Sequence, residues 1–325
     1  MLKNTQNTPS KNSTILEVGK IDSFTLLIPL DDCKILNDTF LQRCNVNLHV
    51  LETSVEVIDQ ENVEINTINR ESNGIKTRFS KLNRLWKGES KEFIKIVLTS
   101  KHLKEKYFEG IDITNIKIAL GHVIDLNIIS FDIDKVLDST YFSDIDFCID
   151  FKLNAHDYSF MSKTMKQRVI PTKQKFIKPF KTNIQLNERP SATTTTPFIK
   201  LYDKDSEMLQ RKESMIFHET FLYPNNISTY EIKRLEVTLK NSKCKRAHNI
   251  QHSTLRDVLS LSKEEKTTII KRTLKHYYEA KKMQINDNLS PLKQSFSNCI
   301  CWMIDKGITT SELIFIGTSN IEDKV

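Results

Sequence analysis

The chain has 325 residues, 38% hydrophobic and 27% charged, with a formal net charge of +7. These values suit a globular protein with one large core or two modest ones and exclude a chain that is mostly disordered. Seven glycines, with no GxxxxGK[ST] and no GxGxxG, argue against a phosphate-cradling loop and so against a nucleotide-driven motor.

The six cysteines, Cys33, Cys44, Cys148, Cys244, Cys299 and Cys301, show no CxxC pair and no zinc-ribbon spacing. They read as free thiols in a reducing compartment. The opening stretch MLKNTQNTPSKNST lacks the apolar core of a secretion signal. The longest apolar tract, IALGHVIDLNIISF, is too short and too interrupted by Asp and Asn to span a bilayer. The expectation is a cytoplasmic protein with no membrane partner.

In chain order, residues 1–20 read as a disordered tail. DSFTLLIPL (Asp22 to Leu30) reads as a strand closed by Pro29 and the turn-forming Asp31 and Asp32, and VNLHVLETSVEVI and EFIKIVLTS (Glu92 to Ser100) supply more strand content. From Asp112, a candidate N-cap, Ile113, Ile116, Leu120, Val123, Ile124 and Asn127 recur at helical spacing, which predicts one helix crossing a sheet.

Three later strands alternate sharply. In SDIDFCIDFK, Ile145, Phe147, Ile149 and Phe151 share one face, while Asp144, Asp146, Cys148, Asp150 and Lys152 share the other. FIKLYDK sets Ile199 and Leu201 against Lys200, Tyr202 and Lys204, and EIKRLEVTLK sets Leu235, Val237 and Leu239 against Arg234, Glu236, Thr238 and Lys240. Half-solvated antiparallel strands produce such alternation without any special function. The residue types go further, because acids cluster on one strand and a tyrosine flanked by lysines sits on another.

Between these strands lies a basic segment. From Ser159 to Lys200, nine Lys or Arg (Lys163, Lys166, Arg168, Lys173, Lys175, Lys178, Lys181, Arg189, Lys200) face the single acid Glu188. Localised positive charge of this kind is the footprint of a polyanion, although a solvated basic loop reads the same way. After Lys240 the pattern turns helical. Ser262 to Glu265, SKEE, forms a candidate capping box ahead of Ile269, Ile270, Leu274, Tyr277 and Tyr278, and SFSNCICWMIDKGITTSEL reads as a last helix. The expected architecture is α+β: a mainly antiparallel sheet with helices on one face and an open polar face over 21–250, a basic loop at 159–197, and a helical region over 251–325.

A tyrosine oxygen can attack a phosphodiester and keep the phosphate bound, which conserves the bond for later rejoining. The phenol is neutral at pH 7, its reference pKa being about 10, so Lys200 or Lys204 would favour the phenolate. Asp144, Asp146 and Glu236 are hard oxygen donors suited to Mg²⁺ or Mn²⁺. The pair His248 and His252 lacks the glutamate of a zinc protease, and no His-hydrophobic-His motif occurs.

Collinear stretches resemble the filamentous-phage gene II and gene X family of phage and plasmid rolling-circle replication initiators: IDSFTLLIPLDD, EFIKIVLTSKHL, SDIDFCIDF, FIKLYDKDSEML, IKRLEVTLKN and CWMIDKGITTSEL. The resemblance spans most of the chain. It implies a divergent rolling-circle nickase fold, with Tyr202 as the nicking nucleophile and Lys204 and Glu207 as its matched neighbours. The family's R-x-E strand falls on Arg234 and Glu236, followed by Lys240. Its R-I-D strand falls on Asp144, Ile145 and Asp146, with Asp in place of the Arg. The implied activity is site-specific nicking of a double-stranded replicative form, extension from the 3′ end with a host helicase and polymerase, and rejoining into single-stranded circles in the host bacterial cytoplasm. Catalytic roles are then expected for Tyr202, Lys204 and Arg234, and DNA contacts for the basic segment, Lys200 and Lys240. Two other readings stay open: a non-catalytic single-strand-binding sheet using Phe160, Phe176 and Phe180, and a carboxylate nuclease with no covalent step.

Overall fold

The computed structural model describes residues 17–45, 67–86, 89–139, 142–159, 162, 178–179, 184–186, 197–240, 242–250 and 253–278. Within them the protein is α+β, organised on a nine-stranded antiparallel sheet. Its central strands are β1 (Lys20–Pro29), β5 (Glu89–Thr99), β7 (Phe142–Lys152), β10 (Phe198–Asp203) and β11 (Ile232–Leu239). The outer ones are β3 (Thr67–Ser72), β4 (Ile75–Trp86), β8 (Lys178–Pro179) and β9 (Ile184–Leu186). The spatial order is β3-β4-β5-β1-β7-β11-β10-β9-β8, and β2 (Cys33–Ile35) pairs with β6 (Ile129–Phe131) in a separate ribbon.

Each central strand alternates as its sequence predicts, and the register aligns the apolar positions across the sheet. Ile199 lies opposite Val237, Val237 opposite Phe147, Phe147 opposite Ile21, and Phe24 opposite Leu98. This face packs against α2 (Ile116–Asp125), α7 (Leu255–Leu259) and α8 (Lys263–Tyr278), whose Ile116, Leu120, Val123, Leu255, Val258, Ile269 and Ile270 join the same buried cluster. Residues 255–274 therefore complete the core of the sheet. The SKEE box forms: Ser262 Oγ accepts from the Glu265 amide at 3.1 Å and Glu265 Oε2 accepts from the Ser262 amide at 2.7 Å. Asp112 lies one turn earlier than expected of an N-cap. Its side chain accepts from the amides of Thr114 and Asn115, and the helix starts at Ile116.

Helices cover both faces of the sheet, where the sequence predicts one covered face. A second, smaller core of Ile75, Tyr107, Phe108, Met208, Phe217, Leu222 and Ile232 lies at one end of the strands, with Tyr107 and Ile232 on the polar face. It is built by a kinked 3₁₀ segment, Ser100–Glu109, and by α4 (Lys204–Gln210) and α5 (Lys212–Phe217). The strand pattern does not announce this layer, because apart from Ile75 and Ile232 it arises from segments beyond the strands.

Two sequence details set its position. Asn73 and Gly74, both at positive φ, form the two-residue turn between β3 and β4, the conformation for which Asn-Gly is favoured. A methyl group on Gly74 would collide with the Glu213 carbonyl and the Phe217 amide of α5. At the other side of the layer, Asp203 ends β10 by accepting from the Ser206 amide at 3.1 Å, so Lys204 opens a helix and does not continue the strand.

Gly74→Ala is expected to lose more than the ~1–2 kcal/mol of left-handed strain alone, because the helix must also move away, and denaturant unfolding would measure it. Phe147→Ala, at a position with no solvent exposure, should cost about 3–5 kcal/mol in the same assay.

Candidate active site

Register brings the ionisable residues of three neighbouring strands onto one face. Lys200 pairs with Glu236, Tyr202 with Arg234, Glu236 with Cys148, Thr238 with Asp146, and Arg234 with Asp150. On β1 the alternation breaks. Ile21 lies opposite Phe147 and Ser23 opposite Asp146, so Asp22 is an extra residue, and Asp22 and Ser23 both reach the polar face. A bulge is the usual way to re-aim a side chain in this manner.

Two clusters result. In the first, the Tyr202 hydroxyl donates to Glu236 Oε2 at 3.1 Å, and Lys200 forms an ion pair with Glu236 Oε1. Burial, reinforced by the Glu236 charge and opposed by Arg234, raises the Tyr202 pKa well above the usual phenol value. The resting residue is therefore a neutral phenol whose proton already points at a carboxylate. For Lys200, burial works against the charge, but Glu236 and Asp146 outweigh it and raise its pKa.

Asp146 sits beside this pair. Its Oδ2 accepts from Ser23 Oγ at 2.6 Å, whereas Oδ1 is buried with no hydrogen-bond partner. Burial and then the Glu236 charge push its pKa up to about 7, with Lys200 and Ser23 opposing. Asp144 lies at a second irregularity of the β1–β7 ladder, between the pairs Phe24–Ile145 and Leu26–Phe142. Among the described residues, no group of three or more His, Cys, Asp or Glu is arranged to hold a metal ion.

The second cluster is buried beneath the helical layer. Arg234, 1% exposed, makes a bidentate pair with Asp150 at 2.6 and 2.8 Å. Its Nη1 donates to Asp22 at 2.6 Å and to the Tyr107 hydroxyl at 2.9 Å. Lys20 adds a second cation on Asp150 at 2.7 Å, and Ser100 donates to Asp22 at 2.6 Å. Burial would raise both carboxyls, but Arg234 with Lys20 or Lys204 keeps Asp150 and Asp22 below the usual range. Lys204 sits where the clusters meet, paired with Glu207 at 2.6 Å, its ammonium 5.2 Å from the centre of the Tyr107 ring and 5.4 Å from that of Tyr202.

The structure thus brings together Tyr202, Lys200, Glu236 and Asp146, and places Lys204 against the tyrosine ring. It places Arg234 among carboxylates, directly opposite Tyr202 in the ladder and two residues from Glu236 on β11. Lys240 follows β11 directly. Lys163, Lys166, Arg168, Lys173, Lys175 and Lys181 lie outside the described residues, and of Lys178 only its strand position is described. Lys20, Asp22, Ser23 and Tyr107 do not stand out in the sequence. The alternation assigns Asp22 to the opposite face from Ser23, and Tyr107 belongs to no recognisable motif.

Asp150→Ala should destabilise the fold by about 3–5 kcal/mol, because Arg234 and Lys20 would stay buried without their counter-charge; the midpoint of urea unfolding reports this. Asp146 adds a pH signature. Folded, it keeps its proton to about pH 7, while a free carboxyl releases it near 3.8. Its contribution to stability is complete below the lower value and is lost as pH rises through the upper one. Asp146→Asn, measured in EDTA, should remove from the profile between pH 4 and 7 a fall of at most about 1.4 kcal/mol per pH unit.

No family model, curated protein or solved structure matches the chain.

Proposed function

We propose that this protein nicks and rejoins DNA through Tyr202 to initiate rolling-circle replication of a circular phage or plasmid genome. The observation that carries the proposal is the hydrogen bond from the Tyr202 hydroxyl to Glu236, beside Lys200 and Asp146 on one sheet face. A tyrosine held only for packing has no need of a charged acceptor that is itself paired with a lysine.

The chemistry follows from these groups. The Tyr202 oxygen attacks phosphorus in line, its proton passes to Glu236, a P–O bond forms to the tyrosine, and the bond from phosphorus to the 3′ oxygen breaks. The products are a 5′-phosphotyrosine and a 3′-hydroxyl once the leaving oxygen takes up a proton. Rejoining is the reverse: a 3′-hydroxyl attacks, and Tyr202 recovers its proton from Glu236. Lys200 neutralises Glu236 in the resting site and has a phosphoryl group as its alternative anionic partner.

The donor set fits a divalent ion such as Mg²⁺ or Mn²⁺. Asp146 keeps a buried oxygen without a partner, and its raised pKa reports a place where added positive charge is favoured. Asp146 and Glu236 would hold the ion, with the remaining positions left to phosphate and water oxygens. When bound, it withdraws charge from the phosphoryl oxygens. The buried Arg234 cluster holds β1, β7 and β11 in register under the site.

With a supercoiled plasmid carrying the cognate origin, the protein should produce open circles and stay attached to the 5′ end. Tyr202→Phe should lower nicking by about 10⁴-fold or more while origin binding holds in a mobility-shift assay. Undiminished nicking by that variant would remove Tyr202 from the mechanism. Cleavage with no protein–DNA adduct on a denaturing gel would favour a metal-dependent nuclease instead.

A further inference from the structure

Outside the two clusters, the same sheet face carries a group of cations that the basic segment does not include. On β4, Lys76 and Arg78 are exposed, and on β5 Lys95 is half-buried. The ladders fix their side. Phe79 pairs with Ile96 in the core, so Lys76, Arg78 and Ser80 lie on the opposite face, with Val97 and Lys95 of β5 and Ser23 and Thr25 of β1. Ser23 in turn lies opposite Asp146. Lys76, Arg78 and Lys95 make no hydrogen bond or ion pair among the described residues, even though Glu71 stands opposite Lys76 in the β3–β4 ladder. Most other central cations are engaged, as Lys20, Lys200, Lys204, Lys233 and Arg234 are.

We propose that Lys76, Arg78 and Lys95 form a phosphate-binding track that leads a single DNA strand across the sheet to Tyr202. This inference rests on the function proposed above. Five strand spacings separate β4 from β10, which carries Tyr202, roughly 24 Å at about 4.8 Å each, which is a span of a few nucleotides. Three cations without a partner among the described residues at one end, and the Lys200–Glu236 pair beside the nucleophile at the other, form a charge pattern suited to a polyanion led toward the point of attack. The Tyr202 hydroxyl is held part-buried against Glu236, so the strand that reaches it must lie flat on the sheet. A separated strand can do so, whereas a duplex cannot bring a phosphate down to the oxygen without opening.

The test is the salt dependence of binding to a fluorescent oligo-dT, measured by anisotropy in EDTA. Lys76→Ala/Arg78→Ala/Lys95→Ala should reduce the slope of log affinity against log salt by about 2, at about 0.7 for each single-strand phosphate that the variant leaves without a cation. Lys34→Ala/Lys106→Ala/Lys263→Ala, with the same change in net charge on other surfaces, should keep the slope. If the triple variant fails to melt cooperatively, Arg78→Gln alone should reduce the slope by about 0.7. An unchanged slope in the folded variant overturns the track, as does an equal reduction in the two triple variants or a reduction seen only with duplex DNA. If the parent never nicks an origin plasmid but the slope difference persists, the proposed catalysis fails while the track stands.

Discussion

The burial of one guanidinium organises much of this molecule. Arg234 cannot be deprotonated, and its burial is tolerable only because Asp150, Asp22 and the Tyr107 hydroxyl surround it. Each partner constrains a different element. Asp150 fixes β7 against β11, Asp22 requires the bulge in β1, and Tyr107 draws the 3₁₀ segment Ser100–Glu109 down onto the sheet. The outcome is a polar layer inside an otherwise apolar sandwich, with strand register pinned by charge as well as by the apolar pattern.

This buried layer separates two uses of charge on one face. Under the helices, Arg234, Lys20, Asp150 and Asp22 are all matched at hydrogen-bond distance. Toward the open end, matching among the described residues is incomplete: Asp146 keeps an orphan oxygen, and Lys76, Arg78 and Lys95 stand without an anion. A fold that satisfies its polar groups so fully in one half and leaves them unsatisfied in the other resembles a scaffold with a binding surface attached, since unmet electrostatic demand is stabilised when an external partner arrives.

Much of the sheet was legible in the sequence because period-two alternation is a local signal. Ile145 to Phe151, Ile199 with Leu201, and Leu235 to Leu239 place the core face without further information, and the Ser262–Glu265 box marks its helix at the expected residue. What stayed hidden depended on neighbours distant in the chain. Lys204 follows Tyr202 at strand spacing, yet Asp203 caps a helix there and redirects it. Asp22 and Ser23 share a face only because β7 imposes a bulge. The i, i+2 pattern of Lys76 and Arg78 is visible, but its side of the sheet depends on pairing with β5 and β1. Asn73–Gly74 is a local hairpin signal, but the helix that packs on it is not local. For Tyr202, the sequence supplied the right strand and the right face, and the structure added the acceptor of its proton.

The close seating of Gly74 under α5 has a mechanical meaning. The segment that begins directly after Tyr202 passes over the polar face and is wedged, through Glu213 and Phe217, onto the hairpin five strands away. It reaches from β10, where Asp203 caps its first helix, to the β3–β4 turn, where α5 leaves no room for a side chain at position 74. β10 itself is paired on both sides, with β11 and β9, so Tyr202 has little freedom to travel. In the reaction proposed above, any large displacement would fall to the nucleic acid, with the protein as a fixed bench that holds one DNA end while the other is replaced.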